Sequence, residues 1–187
     1  MTDNSYYLKA LIENKADIVK AIYTANFFKV RAFVVKNNGQ IQDAEDIFQK
    51  ALLQLAVRYK KEKFVINTSF EAYLFTVCKN LWRRELNKSK FQVTNSDLIE
   101  PKDDNEDIAL AIMEQKRWEL FTECLEKISD SCKKILKLFF AKTSYAKLVE
   151  MFDYNSETVA RQRVFKCKNK LKELVRGDHR FSKLIEL

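Results

Sequence analysis

Apolar residues recur every three or four positions along most of this chain, a spacing that places them on one face of an α-helix. A first stripe begins at Leu8 and is interrupted at Asn14-Lys15, and a second starts at Ile18 and continues through Ala32. Because Asn and Gly tolerate the left-handed backbone at a helix C-terminus, Asn37-Asn38-Gly39 predicts the end of the second helix. The aromatic residues of that helix are predicted to lie mostly in the core: Tyr23, Phe27, Phe28 and Phe33.

A third helix is predicted to follow, with carboxylates in its first turn. Negative charge there is stabilised by the positive end of the helix dipole. Asp46 and Gln49 lie off the apolar face of this helix, so we expect them to be exposed to a partner. The carboxylates are Asp43, Glu45 and Asp46, and the predicted buried face carries Ile47, Ala51, Leu55 and Tyr59.

A lysine-bearing loop over residues 60–67 leads to a fourth helix, for which Thr68 or Ser69 is the predicted N-cap. Residues 79–90 of this helix contain five basic residues and one acidic residue, with Trp82 among them. A basic face beside aromatic side chains favours nucleic-acid contact, although a charge run can also mark a merely solvated face. The predicted core stripe carries Phe70, Tyr73, Leu74, Val77, Cys78 and Leu81.

Helical periodicity lapses between about residue 89 and residue 107. Residues 97–107 contain six carboxylates and one lysine, and the single proline of the chain, Pro101, lies among them. Such a polar stretch between helical regions is typical of a linker, and its charge should repel DNA and hold two domains apart. The sequence therefore predicts a first domain over residues 1–90, an acidic linker over 91–107 and a second domain over 108–187.

The second domain is predicted to contain a helix-turn-helix. Thr143-Ser144 caps a short helix, Asp153-Tyr154-Asn155 forms a turn in which a glycine is usual, and Asn155 or Ser156 caps a long helix. Residues 156–176 contain seven basic and two acidic residues. The second helix of this motif enters the major groove of DNA. An ordinary helical hairpin with a solvated basic face is the alternative. The predicted buried stripe of the long helix is Ala160, Val164, Cys167, Leu171 and Leu174.

Composition favours an all-α protein made of two small helical domains. The 187 residues include only two glycines and one proline, and 47% are hydrophobic, so long helices with few turns are expected. A net charge of +8 favours an anionic partner, either nucleic acid or a membrane surface, but is also compatible with a merely basic soluble protein. No apolar run reaches the ~18–20 residues that span a bilayer. The N-terminus lacks the features of a secretory signal, so we expect a cytoplasmic protein without membrane insertion.

The residues that could carry metal or covalent chemistry are few. The only histidine, His179, stands alone, and the four cysteines are far apart, so we expect no metal site. There is no nucleophile–base pair and no Gly-rich phosphate loop, so we expect neither an enzyme nor a cofactor. The cysteines lie within helical patterns and are predicted to be small, buried and reduced: Cys78, Cys124, Cys132 and Cys167.

Two stretches resemble the bacterial RNA polymerase sigma factors, specifically the small two-domain extracytoplasmic-function group. DAEDIFQ at 43–49, SFEAYL at 69–74 and KNL at 79–81 are similar to sigma domain two and form the more specific part of the resemblance. Residues 145–174 are similar to the helix-turn-helix of sigma domain four. Glu71 departs from the pattern, because the family often has a basic residue there. Residues 176–187 lie outside the resemblance.

The resemblance implies a protein that binds core RNA polymerase and directs promoter-specific transcription initiation. By position, Asp46 and Gln49 would meet the clamp helices of the largest polymerase subunit, and the loop over 60–67 would hold an unstacked base of the nontemplate strand. An anti-sigma factor is a further partner that the family leaves open. The residues implied to lie along the −10 element are Lys79, Asn80, Arg83 and Arg84, and those implied to read the −35 element are Arg161, Gln162, Phe165 and Lys166.

Two other functions stay open from the sequence. A helix-turn-helix transcriptional regulator would not bind core polymerase as a sigma subunit, and it would need a symmetric dimer, for which no coiled-coil seam is evident. A helical adaptor without nucleic-acid function would make the basic faces incidental. Only the sigma interpretation requires binding to core polymerase, so a pull-down with that enzyme separates it from the other two.

Overall fold

The computed structural model describes residues 4–94 and 104–185, and in these ranges every regular element is an α-helix. The predicted all-α class is confirmed. Contacts divide the chain into two compact units, Met1–Gln115 and Lys116–Leu187. The helices of the described ranges are α1 (Asn4–Ile12), α2 (Ala16–Lys36), α3 (Ile41–Glu62), α4 (Phe70–Thr94), α5 (Asp104–Lys127), α6 (Asp130–Phe140), α7 (Tyr145–Phe152), α8 (Glu157–Arg176) and α9 (Phe181–Ile185).

The core of the first unit forms where α1, α2, α3 and α4 pack together. Phe48 and Leu55 of α3 and Phe70 and Leu74 of α4 are almost completely buried. Burial of each such side chain stabilises the fold by about 1.5–3 kcal/mol. The predicted stripes of α3 and α4 are confirmed, but Phe28 of α2, expected in the core, is exposed.

The turn between α2 and α3 is shaped by Trp82 of α4. Its indole Nε1 donates a hydrogen bond to the carbonyl of Asn37 at 3.3 Å. A Cβ atom at Gly39 would approach the Trp82 ring to 2.6 Å and would also clash with Val34. Trp82 is therefore a core residue that covers this glycine, and the expectation that its ring serves the basic surface is wrong.

Helix α3 begins two residues earlier than its carboxylates suggested. Gln40 is the N-cap, and its backbone N–H donates to Asp43 Oδ2 at 2.7 Å in a capping box. Asp43 therefore lies in the first turn as expected, whereas Glu45 and Asp46 lie beyond it.

The region predicted as a linker is partly helical. Helix α4 continues to Thr94 and α5 starts at Asp104, while residues 95–103 lie outside the described residues. Residues 104–115 of α5 group with the first unit, so the contacts divide the chain later than the predicted domain start at 108. Two contacts explain this grouping. Ala111 is buried in the core of the first unit, and Asp107 pairs with Arg84 and Lys88 of α4.

The second unit packs α7 and α6 against the long helix α8, and the predicted α8 stripe is buried from Ala160 to Leu171. One expectation is wrong: Cys132 of α6 and Cys167 of α8 form a disulfide, while Cys78 and Cys124 are free and buried. Cys132 and Cys167 are 35 residues apart in sequence, so spacing did not predict that the packing of α6 on α8 brings them together.

Residues 176–185, which lay outside the sequence interpretation, are part of the second unit. Arg180 pairs with Glu123 of α5 at 2.6 Å, and Arg117 donates to the carbonyl of Leu184 at 2.6 Å. Hydrogen bonds from Arg180 also hold the pKa of the Asp178 carboxyl well below its usual range. Helix α9 is thereby attached to α5.

The connections between helices use left-handed backbone at residues other than glycine. Within the described ranges, the residues with positive φ are Asn14, Asn38, Lys63, Lys142 and Asp153, and no glycine is among them. Asp153 is the C-cap of α7 and occupies the turn position in which the sequence pattern usually has glycine.

Candidate nucleic-acid and polymerase interface

One exposed strip runs along α3 on the side away from the core. Asp46 and Gln49 are exposed as predicted, and Leu53 and Val57 follow them at helical spacing. Leu53 is 50% exposed, which is unusual for a leucine in the middle of a long helix. We call Asp46, Gln49, Leu53 and Val57 the α3 strip. Its apolar half was missed by the sequence interpretation, although both residues lie off the predicted core stripe.

The loop between α3 and α4 is held by Arg58, which is buried. Its guanidinium stacks on the Phe64 ring at 4.3 Å, donates to the Tyr73 hydroxyl at 2.7 Å and pairs with Glu62 at 3.0 Å. Val65 at the loop is 80% exposed. A loop that is held rigidly and exposes an apolar side chain can present a surface for an unstacked nucleobase.

Asn4 of α1 holds the other side of this loop. Its side-chain amide donates to the carbonyls of Ile66 at 3.0 Å and Thr68 at 2.6 Å, and its Oδ1 accepts from the Phe70 N–H at 3.0 Å. The loop is therefore fixed by an element outside the stretch that resembles sigma domain two. Local sequence patterns do not indicate this contact, because Asn4 and its partners are more than 60 residues apart.

Helix α4 divides the predicted DNA-contacting residues between two sides. Lys79 and Arg83 form an outer strip: Arg83 is exposed, and the Lys79 ammonium lies 5.1 Å from the Phe75 ring centre. Partial burial and the neighbouring charge of Arg83 lower the pKa of Lys79. We call Asn80, Arg84 and Lys88 the inner strip.

The inner strip already has partners within the first unit. Asn80 donates to Gln115 Oε1 at 2.9 Å. Arg84 pairs with Asp107 at 3.0 Å, and its Nε lies 3.7 Å from a carboxylate oxygen of Glu114. Arg83 of the outer strip is thus exposed to solvent, whereas α5 covers the inner strip.

The face of α8 that was predicted to read DNA is exposed throughout. Phe165 is 63% exposed, an unusual position for an aromatic ring, and Gln162 and Lys166 beside it are exposed as well. Arg161 pairs with Glu157 at 3.0 Å and lies 4.5 Å from the Tyr145 ring centre. Ser156 caps the helix as predicted by accepting a hydrogen bond from the Val159 N–H.

The described residues offer little for metal or thiol chemistry. No three His, Cys, Asp or Glu side chains in these ranges come together in a way that could hold a metal ion. Burial raises the pKa of both free thiols, Cys78 and Cys124, which disfavours the reactive thiolate. None of the helices in the part of the chain described is long and apolar enough to cross a bilayer.

Comparison with protein families bears directly on the first unit. Residues 22–92 match the family model described as sigma-70 region 2. This match supports a sigma factor of the sigma-70 family. It covers the α3 strip, the loop after α3 and both strips of α4, and a region 2 implies core RNA polymerase and promoter DNA as partners. No curated protein matches the chain.

Proposed function

We propose that this protein is a sigma factor of the extracytoplasmic-function group, which binds core RNA polymerase and directs promoter-specific initiation. The observation that carries the proposal is that one matched region, residues 22–92, contains three neighbouring surfaces: the α3 strip, the loop after α3 and the basic α4. The proposal requires no covalent chemistry and no cofactor from this chain.

The α3 strip is proposed to bind the basic clamp helices of the polymerase. Asp46 supplies a negative charge and Gln49 a hydrogen-bonding group, while Leu53 and Val57 add apolar surface to the same side of the helix. A mixed surface of this kind combines electrostatic steering with burial of apolar area.

The loop and α4 are proposed to act on the −10 element. Lys79 and Arg83 would contact phosphates, which position the DNA without reading its sequence. Asn80 and Arg84 are assigned to the same element. The loop at Val65, held by Arg58 and Asn4, would receive an unstacked base, whose unstacking costs a few kcal/mol.

Helix α8 is proposed to read the −35 element. Arg161 and Gln162 are near its N-terminus and can offer donors to base edges, while Phe165 and Lys166 are one turn further along. The same surface would also serve a helix-turn-helix transcriptional regulator. In-vitro transcription with purified core polymerase decides between them, because only a sigma factor makes the core enzyme start at a promoter.

The polymerase contact is tested by the substitution Asp46→Arg. The expected result is at least a tenfold loss of affinity for core polymerase, about 1.4 kcal/mol, because the new charge faces a basic partner. Helix content and melting should stay nearly unchanged, since exposed substitutions shift stability by about ±0.5 kcal/mol. Asp17→Arg is the matched control, with the same charge change on an exposed residue outside the matched region. Equal affinity of the Asp46→Arg and Asp17→Arg variants would remove the α3 strip from the proposal.

A further inference from the structure

The inner strip of α4 is covered by an acidic segment of the same chain. Residues 106–115 of α5, which we call the α5 cover, place Asp107, Glu114 and Gln115 against Arg84, Lys88 and Asn80. Arg84 donates to both the backbone carbonyl and the carboxylate of Asp107, each at 3.0 Å, and Lys88 donates to that carboxylate at 2.7 Å. Two cations of α4 thus converge on one anion.

The Arg84–Asp107 contact differs from an ordinary surface ion pair. The Arg84 side chain is only 9% exposed, so water screens its charge weakly. Burial raises the pKa of Asp107, but the hydrogen bond from Lys88 and the charges of Arg84, Lys88 and Lys50 outweigh this effect and keep its pKa below the usual range. A lowered pKa means that the contact is present at neutral pH and is lost only as the pH falls through that value.

Other contacts of the α5 cover are incomplete. Gln54 of α3 donates from Nε2 to the Ala111 carbonyl at 3.2 Å, but within the described ranges no donor reaches its buried Oε1. A buried acceptor left without a partner opposes packing by about 1–3 kcal/mol. Beside it, a cleft lined by Leu53, Leu81 and Ile108 remains open. The α5 cover is therefore held by its polar contacts, while its apolar side chains pack incompletely against α3 and α4.

These observations fit a segment that can be displaced by a stronger anion. A nucleic-acid strand presents a row of phosphates to Arg and Lys side chains, and their neutralisation releases counterions, which favours binding strongly at low salt. The α5 cover offers Arg84 only two carboxylates, those of Asp107 and Glu114, whereas a strand offers a row of phosphates. Arg84, one of the two cations that hold Asp107, is also one of the residues assigned above to DNA.

We propose that the α5 cover is an internal competitor for DNA, which occupies Asn80 and Arg84 until a nucleic-acid strand displaces it. This inference rests on the proposed DNA-binding role of α4. It adds a regulatory step: DNA first meets the solvent-facing outer strip, Lys79 and Arg83, and gains the inner strip only when residues 106–115 leave.

The test compares two neighbouring carboxylates in the full chain. Asp107→Asn removes the charge that contacts α4, and Glu106→Gln removes the same charge from an exposed position one residue away. The probe is a fluorescein-labelled single-stranded DNA of mixed sequence, with Kd measured by anisotropy at low salt. We expect Asp107→Asn to tighten binding about three- to tenfold, and Glu106→Gln by less than about twofold, because Asp107 pairs with Arg84 whereas Glu106 is exposed.

Combining Arg84→Ala with Asp107→Asn tests whether Arg84 is the residue that the α5 cover keeps from DNA. Arg84→Ala should abolish the gain that Asp107→Asn produces, so that the double variant binds no more tightly than Arg84→Ala alone. If Asp107→Asn and Glu106→Gln bind alike, the α5 cover is a permanent structural contact and the competition proposal is overturned. If Arg83→Ala also leaves DNA affinity unchanged, α4 does not bind DNA, and the proposed function fails at this helix.

A second measurement uses the native chain and is independent of whether the variants fold. Hydrogen exchange of the amides in residues 106–115 should become faster when the oligonucleotide is added, because the cover loses its contacts with α4. Unchanged or slower exchange in this segment, at a DNA concentration that saturates binding, would contradict displacement. Circular dichroism of the Asp107→Asn and Glu106→Gln variants checks that both remain helical.

Discussion

Arg161 and Lys168 occupy different positions along α8 and should contribute differently to DNA binding. Arg161 lies in the second turn of the helix, exposed and next to the Tyr145 ring. Lys168 lies two turns later, with its ammonium 5.2 Å from the Phe139 ring centre. A helix that enters a groove by its N-terminus presents the first position to base edges and the second to phosphates.

The corresponding prediction concerns sequence discrimination. Arg161→Ala should cost about 1–3 kcal/mol on the preferred −35 sequence and little on scrambled DNA, whereas Lys168→Ala should weaken both alike. Lys168→Ala should also lower the salt dependence of binding by roughly one phosphate contact. Titrations of both DNAs at several salt concentrations measure this. Equal losses on every DNA would reduce α8 to an electrostatic surface.

Single residues also show what a sequence can predict. Burial stripes and the serine caps at Ser144 and Ser156 followed from local spacing, because both depend on residues within one or two helical turns. The partners of Asn80 and Arg84 did not follow, since periodicity gives the face of a helix and not what packs on it. The same holds for Trp82: its position beside basic residues suggested a surface role, and its contact with Gly39 could not be predicted from spacing.

At the scale of elements, the loop after α3 depends on α1. Asn4 makes three hydrogen bonds to the backbone of residues 66–70, and these bonds orient the segment that precedes α4. Helix α1 lies outside the matched region 22–92, so the match by itself does not account for this contact.

Asn4→Ala should therefore affect promoter opening more than polymerase binding. Each lost hydrogen bond contributes about 0.5–1.5 kcal/mol, so the loop should exchange its amide hydrogens faster while the α3 strip is unchanged. We expect slower formation of open complex in a permanganate footprint and native affinity for core polymerase. A parallel loss of core affinity would indicate general destabilisation instead.

The disulfide between α6 and α8 is the other feature at this scale. It closes a loop of 35 residues, which corresponds to about 3–4 kcal/mol in the chain-entropy estimate. Reductant should therefore lower the melting temperature of the oxidised protein. A Cys132→Ala/Cys167→Ala variant serves as the control, because its melting should not respond to reductant. Identical melting of the native chain with and without reductant would show that the bond contributes nothing to stability.

At the scale of the whole molecule, fold class and domain division differ in how far sequence determines them. The all-α class followed from composition and periodicity, which sample every residue. The division did not follow, because acidic residues after Pro101 suggested solvent-exposed linker, while Asp107 in fact meets two cations of α4. Charge indicates exposure only when no opposite charge lies nearby.

Cleavage of the chain between α4 and α5 tests this division. A protease site placed within residues 95–103 should give two fragments that remain associated at low salt, because Asp107 and the buried Ala111 still contact the first unit. The association should weaken only in part near 1 M salt, because the largely buried Arg84–Asp107 pair is screened much less than exposed charges. Size-exclusion chromatography of the cleaved protein measures it, and separation at low salt would favour the predicted linker that holds two domains apart.

The left-handed residues at helix ends leave room for thermostabilisation. Lys142, in the connection between α6 and α7, has φ 60, a conformation that disfavours a residue with a side chain by about 1–2 kcal/mol. A Lys142→Gly substitution would relieve this strain. It would also raise the conformational entropy of the unfolded chain, which offsets the gain in stability by about 0.4–1 kcal/mol. Neither glycine of the chain has positive φ, so the protein does not use glycine at these left-handed positions, and the substitution is available for raising stability. An engineer could therefore harden the protein against heat without changing any surface assigned to polymerase or DNA.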